Sequence, residues 1–476
     1  MKKLLVICFS ILLFSNLNAQ KKILTFEDSL NNFINESFSS SSMVSFNFFN
    51  LTKNTSIASK NESILMRPAS VLKLFTTSSV LYFSKGNKFF ETSLYYDGKI
   101  NGSTLKGNVY LKGSFDPFLS IEQLDSLVLF IKQKGIKTVA GNFVFDLSSK
   151  DTIEWGAGWM WDDLPYGYTP KMSALNISSN IVSIKTYPDP TFGKPRTAIY
   201  PDIPYFNIIN KAITSGIETK TNLKFERYFA KGKENIIIEG NISVADSLDK
   251  TTISISTPLK YTSELIKSSF KKYNIRFSGK FIQGKIKGTS SELGTIINSI
   301  AQTIYKTNKT SSNIGAEMLL LKLASSNLEE NISYKDGAKF NDSLAAIVSP
   351  RSTNVFADAS GLSFYNMLSS KTINDLLIFV YRNKELFYNI YSSLPIAGVD
   401  GSLKNRFSNT NLEKKLRAKT GTLSGVTSLA GYFYSKENDL IAFTLMLNNY
   451  KESASEARNF ADSFCLFFYN NYTPEN

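Results

Sequence analysis

Ser70 and Lys73 stand three residues apart in RPASVLKLFTT, residues 67–77. A serine nucleophile needs a base for its proton, and most serine enzymes use a histidine held by a carboxylate. The chain contains no histidine, so that triad is excluded and Lys73 is the candidate base. Two further patterns follow in order: S-x-N at Ser311-Ser312-Asn313 and K-T-G at Lys419-Thr420-Gly421. Singly, the first two are weak. Ser268…Lys271 and Ser269…Lys272 repeat the first inside the polar run KSSFKKY, and Ser178-Ser179-Asn180 and Ser325-Ser326-Asn327 repeat the second.

Each pattern has a physical use. Free N–H groups at a helix start give positive potential near Ser70, which favours a developing oxyanion. That potential, partial burial and a second cation at Lys419 all disfavour an ammonium on Lys73 and push it toward the neutral amine that can accept a proton. Ser311 is placed to relay a proton to a leaving amine, and Asn313 offers an amide to a substrate backbone or to Lys73. Lys419 and Thr420 supply a charge and a hydroxyl for a substrate carboxylate. Gly421 lets a ligand lie against a strand edge, and the N–H of Thr422 is expected to pair with that of Ser70 as an oxyanion hole.

These residues need particular elements beneath them. Pro68 precedes the long apolar stretch ASVLKLFTTSSVLYF, so a buried helix is predicted with Ser70 in its first turn and Lys73 one turn on, on the same face. MVSFNFFNLT and NTSIASKN read as two strands around Lys53-Asn54, and two late strands around Lys436-Glu437-Asn438 form a hairpin beside the Lys419 strand. Together they predict a five-stranded antiparallel sheet with helices on its faces. Between about 90 and 285, short alternating runs such as SLYYDGKI, NFVFDL and TTISIST read as β-rich, with EQLDSLVLFIKQKGI the clearest helix. From about 290 the pattern reads as helical again, beginning with ELGTIINSIAQTIYKTN. Trp155, Trp159 and Trp161 fall together in WGAGWMWDDLPYGY and are expected to form a packed aromatic junction between subdomains. Asp162 and Asp163, inside that cluster, need not face one cleft and are not expected to form a catalytic carboxylate pair.

Lys2 and Lys3, the apolar run Leu4–Phe14 and the small Ala19 read as a secretory signal cleaved before Gln20. Cleavage leaves one cysteine, Cys465, in an apolar setting and expected to be buried. The formal charge of +14 falls to about +12 on cleavage, a mild bias toward anionic surroundings with no dense basic block for nucleic acid. No later segment reads as membrane-spanning. With no histidine, one mature cysteine and no carboxylate cluster at ligand spacing, neither a metal nor another cofactor is expected.

The ordered trio is the signature of penicillin-binding proteins and class A β-lactamases. Nearly the whole mature chain resembles the D-alanyl-D-alanine carboxypeptidases and endopeptidases of the penicillin-binding protein 4 type. The resemblance is carried by RPASVLKLFTT, GSFDPFL, GWMWDDLPYGY, SSNIGAEML, DASGLS, LPIAGVDGSLKNRF and RAKTGTLSGVTSLAGY. Members carry a large insertion between the first two motifs, and here Ser70 and Ser311 are 241 positions apart. The resemblance implies an α+β, serine transpeptidase/β-lactamase-like domain from 20–88 and 290–476. A β-rich insertion would span 89–289 in two subdomains, about 89–170 with 250–289 and 171–249, after a signal at 1–19. It also implies Ser70 as acylated nucleophile, Lys73 as base, Ser311 and Asn313 as the second motif, and Lys419, Thr420, Gly421 and Thr422 around the substrate. Two departures stand out: Ser312 where relatives commonly have Asp, and Ala359 in Asp358-Ala359-Ser360-Gly361 where Gly is usual. That loop and Val399-Asp400-Gly401-Ser402 read as scaffolding.

The implied function is a serine-type D-Ala-D-Ala carboxypeptidase or DD-endopeptidase on peptidoglycan stem peptides, acylated by β-lactams and exported, with the periplasm the expected compartment. A related esterase or β-lactamase is one alternative, and a non-catalytic envelope-binding protein of the same fold is another. Release of D-alanine separates the first from the last, and rapid penicillin turnover would mark the β-lactamase.

Overall fold

The computed structural model describes residues 25–38, 41–84 and 88–474, so the signal read at 1–19 lies outside the described residues. Its organising element is a sheet made from both ends of the chain. Arg417–Leu423, Val426–Tyr434, Leu440–Asn448, Met43–Asn50 and Thr55–Lys60 lie side by side in that order, every pair antiparallel. The central strands are buried on both faces and read as near-continuous apolar runs, while the two-residue period still sorts their side chains. Leu429, Phe433, Phe443, Leu445 and Leu447 point to one core. Ala430, Tyr432, Ala442 and Met446 point to the other.

Each face is closed by helices. The terminal helices Phe26–Ser37 and Ala454–Asn471 cover the first through Leu30, Ile34, Phe464 and Phe468, with Cys465 buried among them. Phe48 stacks on Phe468 at 4.0 Å between ring centroids. The second face packs against Lys73–Phe83 and Ser370–Arg382 through Leu74, Phe75, Ile373, Leu376 and Leu377. Behind them lies Asn313–Ala324, whose NIGAEMLLLKLA sequence is apolar nearly all round and buried to match.

Between Phe83 and Ile300 the chain leaves this body and, among the described residues, builds four further sheets. The largest runs Phe281–Gln283, Phe143–Asp146, Val109–Lys112, Phe89–Tyr96, Ser291–Ser299. Its last two strands are the way out and the way back, paired antiparallel over Phe89–Ser299 to Tyr96–Ser291. The segment 291–299 is therefore a strand, not the start of the helix expected from about 290. The β-branched Thr295-Ile296-Ile297 suit it, and pairing overrides the local period. The helix begins only at Ile300, after the N-cap Ser299.

One segment that carried no assigned element proves helical, and one further expectation is corrected. KSSFKKY belongs to a helix, Pro258–Tyr273, with proline in its first turn, Asn274 in a left-handed C-cap, and Leu265, Ile266 and Phe270 buried. The tryptophans do not pack together: Trp161 is 81% exposed, Trp155 lies under the Lys171 ammonium at 4.7 Å, and Trp159 Nε1 donates to Asp358 at 2.9 Å.

Phe48 is fully buried in the sheet core facing the terminal helices, a core separate from the one holding Phe75 and Leu74 beside the Ser70 turn. Phe48→Ala is expected to cost about 3–5 kcal/mol of stability, measured by urea unfolding. The folded fraction should keep its activity per molecule; a loss below about 1 kcal/mol would mean that the terminal helices do not clamp this face.

Candidate active site

The three motifs reach one place by three routes. Ser70 lies in a 3₁₀ turn, Ala69–Leu72, just ahead of the α-helix Lys73–Phe83, a turn earlier in the backbone than expected. Ala69 adopts φ of 47°, a left-handed conformation costing a non-glycine residue roughly 1–2 kcal/mol. Two glycines crowd this turn. A Cβ on Gly361, itself at φ of 79°, would meet the Ala69 carbonyl oxygen at 1.9 Å, and one on Gly421 would meet the Ser70 nitrogen at 3.0 Å. The K-T-G strand and the DASG loop can approach Ser70 this closely only without side chains.

Ser311 ends the helix Ile300–Thr310 in a left-handed C-cap, and Asn313 opens the next helix. Ser312, between them, is the N-cap: its hydroxyl accepts from Gly315 N at 3.1 Å. The departure from Asp thus falls on a side chain engaged in capping, a role that serine fills as well as aspartate. Lys419 and Gly421 come from the edge strand Arg417–Leu423.

The side chains converge. Lys73 is fully buried and its Nζ lies 2.9 Å from Ser70 Oγ, 2.7 Å from Asn313 Oδ1 and 2.6 Å from the Ser360 carbonyl. The last two partners can only accept. A neutral amine has two N–H bonds and one lone pair, so these contacts take both hydrogens and leave the lone pair for the Ser70 hydroxyl. Lys419 Nζ donates to Ser311 Oγ at 2.8 Å and to the Thr420 carbonyl at 2.8 Å. Thr420 Oγ1 bonds the hydroxyl of Ser402 at 2.7 Å, so the VDGS loop touches the third motif directly.

The electrostatics agree with the geometry. Burial lowers Lys73 to about 7, opposed by the charges of Asp358 and Glu317. Lys419 is held well below the usual lysine range, by burial first and then by Lys73. Behind the amine, burial pushes Glu317 up to about 8, with Asp358 adding to the rise. Both Glu317 oxygens accept from Ala359 N, at 3.1 and 3.2 Å. Asp358 accepts from the main-chain N–H groups of Gly361 and Ser363, both at 2.7 Å, and from Trp159. The two carboxylates thereby shape the loop that presents the Ser360 carbonyl to Lys73.

A cavity of about 540 Å³ opens over Ser70, lined also by Ser311, Asn313 and Thr422. Met160, Asp162, Asp163 and Tyr168 of the insertion form part of its wall. Both aspartates line this cleft, and Asp163 accepts from the Tyr168 hydroxyl at 2.6 Å. Thus Ser70, Lys73, Ser311, Asn313, Lys419, Thr420, Gly421 and Thr422 gather at one site. Sequence reasoning missed the Ser360 carbonyl, Ser402 and the aspartates. DASG and VDGS were visible signals, but only as scaffold.

Residues 28–468 match the D-Ala-D-Ala carboxypeptidase 3 (S13) family. The D-alanyl-D-alanine carboxypeptidase DacB of Haemophilus influenzae is 26% identical, over 96% of this chain and 93% of its own. The D-alanyl-D-alanine carboxypeptidase of an Actinomadura species is 25% identical, over 81% and 74% respectively. The crystal structure of penicillin binding protein 4 from Haemophilus influenzae superposes with a TM-score of 0.81 at 25% identity, covering 93% of this chain and 98% of that one. The same protein has been solved in complex with a β-lactam, with a TM-score of 0.74, 24% identity and the same coverage. The α+β penicillin-binding fold with its β-rich insertion is the fold these structures share.

A carboxyl whose folded pKa is raised holds a proton that the unfolded chain has lost, so its effect on stability worsens as pH rises between the two values. For Glu317 that window runs from about 4.5 to about 8. The Glu317 contribution to stability should therefore fall across it, and Glu317→Gln should be less destabilised by rising pH than the parent in urea unfolding at stepped pH. An equal fall in the variant would place its source elsewhere.

Proposed function

We propose, for a chain that belongs to the D-Ala-D-Ala carboxypeptidase 3 (S13) family and is a serine-type D-Ala-D-Ala carboxypeptidase, that Ser70 is its nucleophile and Lys73 the base. The observation that carries this is the Lys73 amine, with two accepting carbonyls on its hydrogens and Ser70 Oγ 2.9 Å from Nζ. The substrate is a peptidoglycan stem peptide ending in D-Ala-D-Ala. Its terminal carboxylate lies by Lys419 and Thr420, whose hydroxyl proton turns to it from Ser402, the acceptor it has in the free chain. Its backbone runs along the open edge of the Arg417–Leu423 strand, where Gly421 leaves room. A carboxylate beside the buried Lys419 stabilises the cationic form of that lysine, and so couples recognition to charge.

Ser70 Oγ attacks the penultimate D-alanine carbonyl while its proton passes to Lys73. The N–H groups of Ser70 and Thr422 take the developing oxyanion. Collapse breaks the C–N bond; the proton that Lys73 took passes through Ser311, which Lys419 holds, to the leaving amine, so an ester on Ser70 remains and Lys73 is neutral again. Water, deprotonated by Lys73, releases the shortened peptide and restores the serine. The same cycle with a cross-linked peptide as leaving amine is a DD-endopeptidase reaction. A β-lactam, opening on Ser70, keeps its leaving amine tethered. We place the enzyme in the periplasm after cleavage at residue 19, on the residues of that segment.

Intact mass after a short incubation with benzylpenicillin should show one adduct on the mature protein and none on Ser70→Ala. Neutral Lys73 becomes more abundant with rising pH, so the acylation rate should climb through about pH 7. Lys73→Arg, permanently cationic, should abolish acylation. D-Alanine release from a pentapeptide then assigns the reaction. An unmodified protein beside intact penicillin, with no D-alanine released, would refute the assignment.

A further inference from the structure

An amide side chain accepts at one end and donates at the other, and its neighbours decide which end faces which way. Asn313 Nδ2 donates to the main-chain carbonyl of Tyr168 at 2.7 Å. A carbonyl can only accept, so this contact turns Oδ1 toward Lys73. Reversed, the amide would aim N–H at the amine and draw its lone pair away from Ser70. Tyr168 belongs to the insertion, 145 residues before Asn313.

The strap carrying Tyr168, residues 158–169, is tied down on both sides. Toward the catalytic body, Phe364 N donates to the Gly158 carbonyl at 3.4 Å and Trp159 donates to Asp358. Toward the insertion, Gly167 N donates to the Thr252 carbonyl and Ser254 N to that of Pro165, both at 2.9 Å. Arg227 completes the tie: its Nη2 donates to the Leu164 carbonyl at 2.7 Å and to Ser254 Oγ at 3.0 Å. Its side chain is 9% exposed, with the Glu234 carboxylate, 1% exposed, 3.8 Å from Nη1. Glu234 is itself held by Tyr205 and Ser256. Burying such an ion pair is costly, and apolar residues would close a core as well. What an arginine adds here is a donor aimed at the carbonyl of a loop.

We propose that Arg227 is a positioning residue for the reaction. With Gly167 it fixes the strap so that the Tyr168 carbonyl sets the sense of the Asn313 amide and, through it, the direction of the Lys73 lone pair. The insertion thus helps to build the base, from outside the three motifs. The proposal rests on Lys73 being the base.

Two variants of the full mature chain move the strap by different means. Arg227→Met with Glu234→Gln removes the arginine's share of the tie, leaving the Leu164 carbonyl to Ser254 Oγ alone, and leaves no unpaired buried charge. Gly167→Ala sets a Cβ 2.2 Å from Thr252 Oγ1. Each is made with Asn313 intact and with Asn313→Ala, and the benzylpenicillin acylation rate is read by intact mass, over hours where it is slow. With Asn313 present, each should lose about 10-fold, the scale of coupling within one hydrogen-bond network. With Asn313→Ala, the further loss should be less than about 2-fold. Equal losses in both backgrounds, or none in either, would overturn the proposal. Thermal melts identify a variant that has not folded; if the charge-pair variant fails there, Gly167→Ala decides. Lys73→Met run alongside separates the two ideas: normal acylation there removes the base, whereas the Asn313 comparison still reports on the strap.

Discussion

A buried primary amine is the constraint from which the rest of the structure follows. Water would hold Lys73 as an ammonium; the interior penalises that charge, and burial brings its pKa to about 7. Neutrality alone does not make a base, because the lone pair of a free amine points anywhere. Asn313 Oδ1 and the Ser360 carbonyl remove that freedom, one from the second motif and one from the DASG loop. A histidine ring carries its acceptor at a fixed angle, and a single partner orients it. An amine on a flexible stem needs two, and they must come from different elements.

This need explains why the catalytic body is knitted from distant stretches of chain. The Ser70 turn sits between the sheet and a second helical layer, so Gly421 of the edge strand and Gly361 of the loop both press on its backbone. The loop is in turn held by Asp358 and Glu317, two buried acids behind the Lys73 amine. Replacing either acid with an apolar residue would free N–H groups that nothing else in the core accepts. The left-handed Ala69 is tolerated because its neighbours over-determine it.

The letters of the motifs made most of this legible. The roles proposed for Ser70, Lys73, Asn313, Lys419 and Thr420 belong to side chains, and side chains are what a sequence spells. The sheet was legible for a similar reason: Met43–Asn50 and the late hairpin keep an apolar, β-branched and aromatic texture at strand length. The Ser360 and Tyr168 carbonyls were not legible, because every residue has a carbonyl and only the fold aims one. Asp162 and Asp163 were adjacent letters whose shared cleft depends on a 3₁₀ turn at Trp161–Asp163. The strand 291–299 was hidden because its partner lies some 200 residues earlier, beyond the reach of any local period.

That distant pairing also gives the insertion a physical route to the proposed chemistry. It leaves the body after the helix that begins at Lys73 and returns just before the helix that ends at Ser311. Its first and last strands are paired to each other, so it is rooted by a two-strand stalk between the first two motifs. A single flexible linker could not keep Tyr168 within 2.7 Å of Asn313; a stalk of nine residues on one side, continued into a five-stranded sheet, can. The same geometry makes Met160, Asp162 and Asp163 a wall facing Leu362, Phe364 and Thr422 across the cleft. The body then carries the proposed reacting groups, the insertion supplies one side of the entrance, and the Tyr168–Asn313 bond is the joint that reaches the partner of Lys73.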